Sequence, residues 1–331
     1  MKYKNAEDLH IVAIGGGTGL GNLLRVLKGL GCAPTAVVAM TDNGGSSGKL
    51  RADFGMQPPG DVRSCLLALS RSEPEMERLL CYRFPDDSTL CGHNVGNILL
   101  AAIMQADGVD IAEATQRLSA LLAIQGRVLP VTTDDVALGA ILEDGTRLAG
   151  EVEIAADKRR IKEVFLMPEC QPRAEVLQAV AQADYIFIGP GSMYSSLISN
   201  LLVSGLAAAV KQSRAPVYYI SNMATEPGEM PAAELSRCVA ALEYHFRRTT
   251  GFGGHLIDKV IANVGEYAPA LLAELQQGGS VPLVCDEAKL LACGAQLVTA
   301  DFVDSQNVWQ HNRQKLAEVL RRELRLREYA L

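Results

Sequence analysis

No CxxC pair occurs among the cysteines, which stand irregularly at Cys32, Cys65, Cys81, Cys91, Cys170, Cys238, Cys285 and Cys293. Such spacing argues against a disulfide frame or a zinc site and fits small thiols in a reducing compartment. No apolar run reaches about 18 residues, so no segment is expected to span a bilayer. The amino-terminal MKYKNAEDLH is too polar to be expected to act as a signal peptide. Positive charge is in deficit: 31 Lys and Arg face 38 Asp and Glu, a net charge of −7. That balance argues against a general binder of nucleic acid or of anionic membranes. Repeats and low-complexity segments are also missing.

What is present is a chain of 331 residues, 48% hydrophobic and 21% charged, with ample material for a core. The expected fold class is α/β and Rossmann-like: a mostly parallel sheet with helices on both faces and an inserted β-hairpin. One domain over 1–331 is expected, with a first half at 10–131, a hairpin insertion at 132–170 and a second α/β half at 171–331.

The stretch Met40–Arg63, MTDNGGSSGKLRADFGMQPPGDVR, follows the buried strand pattern Ala36–Ala39. It carries Asp42, Asn43, Gly44, Gly45, Ser46, Ser47, Lys49 and Arg51 on what reads as a long loop without secondary structure. Glycines let backbone approach a ligand, and serines beside Lys49 and Arg51 offer donors to oxyanions. A loop of this kind at a strand's carboxyl end is expected to bind, and to become ordered on binding. Asp42 suits either a ribose hydroxyl or a divalent ion. Asp61 suits either a helix N-cap over 62–70 or a ligand contact. Arg63, one turn on, is a candidate phosphate clamp or a solvated surface arginine.

Upstream, the strand 10–14 runs into Gly15-Gly16-Gly17-Thr18-Gly19-Leu20, which opens an apolar helix. Strand, glycine loop, helix and strand make a right-handed βαβ unit. Its backbone N–H groups meet at a helix N-terminus, a ready phosphate cradle. The glycines do not fit G-x-G-x-x-G, and Gly48-Lys49-Leu50 fails the Walker A pattern, so neither an NAD enzyme nor a P-loop site is supported.

Downstream, His93, Asn94 and Asn97 open the helix from Gly92 to Met104, where Gly96 and Asn97 are poor helix formers that suggest close approach. His93 reads equally as acid/base group or structural histidine. Extended runs at 136–142 and 147–154, joined by Glu143-Asp144-Gly145, read as a hairpin decorating the sheet. A second strand, Tyr185–Ile188, feeds Gly189-Pro190-Gly191-Ser192-Met193-Tyr194, so two glycine loops converge on one crevice. Ser192, Ser195 and Ser196 read as phosphate or hydroxyl binders, since no GxSxG elbow surrounds them. Asn222 ends a further strand on the same edge. Helices are expected at 201–212, 232–248, 286–292 and 313–329, the last solvated, with strands at 260–263, 282–284 and 295–300.

Together IGGGTGL (14–20), TDNGGSSGKLR (41–51), PPGDVRSCLLAL (58–69), GHNVGNILLAA (92–102), VLPVTTDDVALGAILEDG (128–145), IGPGSMYSSL (188–197) and NMATEPGE (222–229) resemble the gluconeogenesis factor (YvcK-like) family, related to 2-phospho-L-lactate transferase (CofD-like). The resemblance implies a CofD-like α/β fold in a cytoplasmic bacterial protein. It further implies a nucleotide or nucleotide-sugar ligand, a UDP-sugar in this branch, and a role in cell shape on gluconeogenic carbon sources. Relatives carry two acidic residues where this chain has Asp42-Asn43, and Arg-His-Asp where it has Gln310-His311-Asn312. The expectation is a non-catalytic factor with no certain cofactor, able to act as a homodimer and through cell-wall or metabolic protein partners. The alternative is a phosphoryl-type transferase, in which Asp42, Asp61 and His93 are the catalytic candidates and Mg²⁺ the metal, held by Asp42.

Overall fold

The structure, a computed structural model, describes residues 4–71 and 74–327. Strand β1 (Ile11–Gly15) is buried from end to end and lies inside the sheet. Strand β2 (Thr35–Val38) and strand β3 (Arg127–Pro130) extend the sheet to one side of it. Strands β4 (Ala137–Leu142), β5 (Arg147–Ala149) and β6 (Ile161–Met167) leave the main sheet and form an antiparallel sheet of their own. Strands β7 (Tyr185–Ile188), β8 (Val217–Ile220), β9 (Lys259–Asn263) and β10 (Gln296–Ala300) complete the large sheet on the other side.

Its 7 strands run in the order β10-β9-β8-β7-β1-β2-β3, all pairs parallel. Continuous apolar strands such as YIFI suit a sheet covered by helices on both faces. The chain builds outward from β1 to β3, then resumes at β7 on the opposite side of β1. In register, Ile14 of β1 lies beside Ile188 of β7. The loops after these strands therefore leave the same edge side by side, at the point where strand order reverses and open α/β sheets hold ligands.

Several expectations are corrected. The segment after Asp42 is no structureless loop, because α2 (Gly45–Phe54), the next helix after α1 (Gly17–Gly29), lies within it. Asp61 is not an N-cap: α3 (Gly60–Leu69) starts one residue earlier, so the carboxylate sits in its first turn. Helix α4 (Pro74–Cys81), absent from the sequence reading, is amphipathic but short, and only Leu80 of it is buried. Helix α5 (Val95–Asp107) begins after Asn94, followed by α6 (Ile111–Leu121).

The run 147–154 is a short strand and then α7 (Glu151–Ala156), divided by Gly150 at φ +103°. The 282–284 segment makes only isolated bridges, Ala224 to Pro282 and Glu234 to Val284. The helix expected from Leu201 begins at Leu206, after Gly205 at φ +83°. The closing helix Arg313–Glu323 is not fully solvated, because it buries Leu316, Val319 and Leu320 and packs on α1. Its expected end at Tyr329 lies outside the described residues. Among the described residues, no single helix is long and apolar enough to cross a membrane.

Candidate functional site

The site grows from the glycine loop after β1. Gly17 has φ +62°, a conformation that disfavours any side chain, and it turns the chain into α1. The N-cap residue Gly16 supplies no capping side chain, so the helix N-terminus, with its partial positive charge, opens outward. A Cβ on Gly19 would lie 2.6 Å from the carbonyl oxygen of Pro190, so the two glycine loops touch backbone to backbone. A Cβ on Gly16 would strike the Asp61 carboxyl. The Asp61 carboxyl accepts a backbone hydrogen bond from Gly17. Burial, and then the nearby Asp42 charge, push its pKa up to about 7, against the opposing effects of Gly17 and Arg63.

The second junction is built differently. Asn222 clasps Gly191, accepting its N–H at 2.9 Å and donating to its carbonyl at 2.9 Å. Glu226 accepts the Ser192 hydroxyl at 2.8 Å and the Met193 N–H at 3.1 Å. Glu229 accepts the N–H groups of Tyr194 at 2.6 Å and Ser195 at 3.0 Å, together with the Ser195 hydroxyl at 2.5 Å. The donors foreseen for a phosphate at Ser192, Met193 and Tyr194 are thus already met by the chain's own carboxyl groups. A π-type turn over Met193–Ile198, rather than an α-helix, follows.

Between the loops lies a cavity of about 560 Å³, walled by Gly16, Gly17, Thr18, Gly19, Gly191, Ser192, Ser196 and Asn222. Glu151, Glu226, Glu229 and Trp309 also line it. Burial, followed by the charge of Glu229, raises Glu226 to about 7. Burial also raises Glu229. Glu151 rises to about 8, first through burial and then through Asp42, Asp61 and Glu229. Carboxyl groups raised this far hold protons near neutrality, so they can donate hydrogen bonds as well as accept them. Among the described residues, no group of three or more His, Cys, Asp or Glu side chains is arranged to hold a metal ion.

The other sequence candidates lie outside the cavity lining. Asp42 Oδ1 accepts the Gly44 N–H at 2.8 Å. Asn43 accepts the Val152 N–H at 3.0 Å and donates to Glu153 at 3.2 Å, fastening α7. Gly45 has φ +47° and starts α2. Ser46 pairs with His93 Nδ1 at 3.2 Å, and Ser47 accepts the Gly60 N–H at 3.1 Å. Lys49 donates to the Cys91 carbonyl at 3.0 Å, whereas Arg51 binds Asp135 at 2.5 Å and the Val136 carbonyl at 2.6 Å. Both cations therefore brace α2 against other elements and do not line the crevice.

Arg63 packs on Gly96, where a Cβ would lie 2.9 Å from its Cδ, and leaves a buried Nε without a partner. Burial lowers its pKa. Asn94 caps α5, accepting from Gly96 N and donating to the Cys81 carbonyl, both at 2.9 Å. Asn97 is buried with its Oδ1 unpaired, and Leu20 belongs to the core. Gly15 ends β1, while Gly189, at φ +82°, donates to the Ile14 carbonyl.

Glu151, Glu226, Glu229 and Trp309 were missed from the sequence. Glu226 and Glu229 follow β8 at the ligand-bearing edge, a position that could have marked them. Glu151 was hidden by its assignment to a strand.

A family model described as 2-phospho-L-lactate transferase CofD matches residues 11–303. A gluconeogenesis factor of Halalkalibacterium halodurans is 39% identical, the match covering 97% of this chain and 96% of that protein. One of Bacillus subtilis is 38% identical, over 94% and 96% respectively. The X-ray structure of a Bacillus halodurans protein superposes with a TM-score of 0.88 at 38% identity, covering 96% of this chain and 100% of its own. Agreement in sequence and fold over nearly the whole length means that this chain belongs to the CofD family, among its gluconeogenesis factors.

Proposed function

We propose that the chain is a cytoplasmic, non-catalytic factor that binds a nucleotide sugar, specifically a UDP-sugar, in the crevice between its two glycine loops. Its bound state is read by cell-wall or metabolic protein partners and supports cell shape on gluconeogenic carbon sources. One observation carries the reading: the N-terminus of α1 lines a cavity of about 560 Å³ that Glu151, Glu226 and Glu229 also line. Helix N–H donors suit phosphate, and carboxyl groups such as Glu226 and Glu229 suit the hydroxyls of a sugar. The phosphates bring negative charge toward groups titrating near neutrality, so binding is expected to take up protons.

A second reading, a phosphoryl-type transferase, draws on the closeness of Asp42 and Asp61, whose charges are felt between them. It requires Mg²⁺ at Asp42, with His93 for proton transfer. Calorimetry with UDP-glucose in EDTA, paired with an assay for phospholactyl transfer to a deazaflavin, separates the two. Heat in EDTA without transfer supports the binding factor. Mg²⁺-dependent transfer that is lost in Asp42→Asn would establish the enzyme.

A further inference from the structure

We infer that Trp309 is the platform on which the planar base of a nucleotide ligand stacks. This rests on the nucleotide-sugar reading above and adds the position of the base. Trp309 is the chain's single tryptophan, and it lies 45% exposed on the rim of the cavity that Gly17 and Thr18 also line. A large apolar ring left open in this way, beside a wall of carboxyl groups, has a face available for a partner.

The ring is nonetheless held. A Cβ on Gly278 would lie 2.8 Å from its six-membered ring, so the indole rests directly on that backbone. The preceding Val308 is fully buried and anchors the segment. The same segment is tied to α1 one helical turn beyond Thr18. Asn22 donates to the His311 carbonyl at 2.9 Å and accepts from Arg313 at 2.8 Å. The stacking surface and the phosphate-binding helix end are thereby fixed to each other through one residue, as recognition of both ends of a nucleotide requires. Stacking on an indole tolerates any base, so the ring adds affinity without choosing among bases.

The test titrates UDP, inorganic pyrophosphate and glucose 1-phosphate into wild type, Trp309→Phe and Trp309→Ala, following heat and intrinsic emission. The single tryptophan makes the wild-type emission a report on this position alone. UDP is expected to quench emission, and pyrophosphate to bind without quenching. Trp309→Ala should weaken UDP roughly tenfold to hundredfold, the scale of base–aromatic stacking, while Trp309→Phe keeps most of the affinity. Pyrophosphate affinity should be the same in all three proteins. Unchanged UDP affinity in Trp309→Ala overturns the inference, as does quenching by glucose 1-phosphate but not by UDP. Loss of pyrophosphate binding in Trp309→Ala also overturns it, because the ring would then be supporting α1. Heat from none of the three ligands in wild type removes the nucleotide-sugar reading itself, and the platform with it.

Discussion

The backbone N–H of Tyr194 donates to Oε2 of Glu229 at 2.6 Å, and the same carboxyl group holds both the N–H and the hydroxyl of Ser195. The second glycine loop thus gives its donors to Glu229, while at the first the Asp61 carboxyl accepts the Gly17 N–H. Each of the two similar junctions therefore meets a carboxyl group of the chain itself.

Removing the Glu229 carboxyl group should be costly. In Glu229→Ala the N–H groups of Tyr194 and Ser195 lose their acceptor, and each unsatisfied buried donor costs about 1–3 kcal/mol. Urea unfolding should show the loss, with Glu229→Gln retaining more stability because its amide oxygen still accepts. Equal stability of wild type and Glu229→Ala would mean that solvent satisfies these donors.

The raised carboxyl groups give stability a sign with pH. Asp61 and Glu226 rise to about 7 and Glu151 to about 8 in the folded chain, from the ordinary 3.8 of Asp and 4.5 of Glu. Between those values the folded state binds more protons than the unfolded one, so stability falls as pH rises through the window. Buried His311, lowered to about 4 by desolvation, acts oppositely below the ordinary histidine value of 6.5. The melting temperature should therefore fall between pH 6.5 and 8, and Asp61→Asn should flatten the slope. A melting temperature that rises over this interval would refute the assignment.

Contact between the loops should tolerate no side chain at Gly19. The Cβ of Gly19→Ala would sit 2.6 Å from the Pro190 carbonyl oxygen, and overpacking of this kind costs roughly 1–3 kcal/mol. Thermal unfolding should show that loss, and calorimetry a weaker nucleotide-sugar affinity in the folded variant. Wild-type values in both would show that the loops separate freely.

Asp42→Asn is expected to weaken the same ligand. A hydrogen bond to a charged group contributes roughly 1.5–3 kcal/mol, so affinity should drop about ten- to hundredfold. Calorimetry in EDTA measures this without a metal contribution. Full affinity in the variant would confine Asp42 to its bond with Gly44 N.

Asn94 makes a separate structural prediction. Its side chain caps α5 and also satisfies the Cys81 carbonyl. Loss of an N-cap costs about 1 kcal/mol, so Asn94→Ala should lower the unfolding free energy by at least that amount. A change confined to ligand affinity would reassign Asn94 to the crevice.

The amino-acid sequence by itself determined the parallel sheet. Runs such as Ile11–Ile14 and Tyr185–Ile188 are apolar at every position, and glycine loops follow both, which is local information. It also determined that β1 and β7 would bring their loops to one edge, since the strand–glycine–helix pattern occurs twice. Local pattern could not separate α7 from β5, because a six-residue helix with one buried side chain leaves little periodicity. It could not settle which acceptors the loop donors meet, either. Ser192 and Met193 meet Glu226 only because the turn after β8 folds back over the second loop. Lys49 and Arg51 read as oxyanion binders until tertiary packing turned them toward the Cys91 and Val136 carbonyls. Hydrogen-bond partners far apart in sequence are chosen by the assembled fold, and so tertiary structure alone brought carboxyl groups from separate segments, Asp61, Glu151, Glu226 and Glu229, around the two glycine loops.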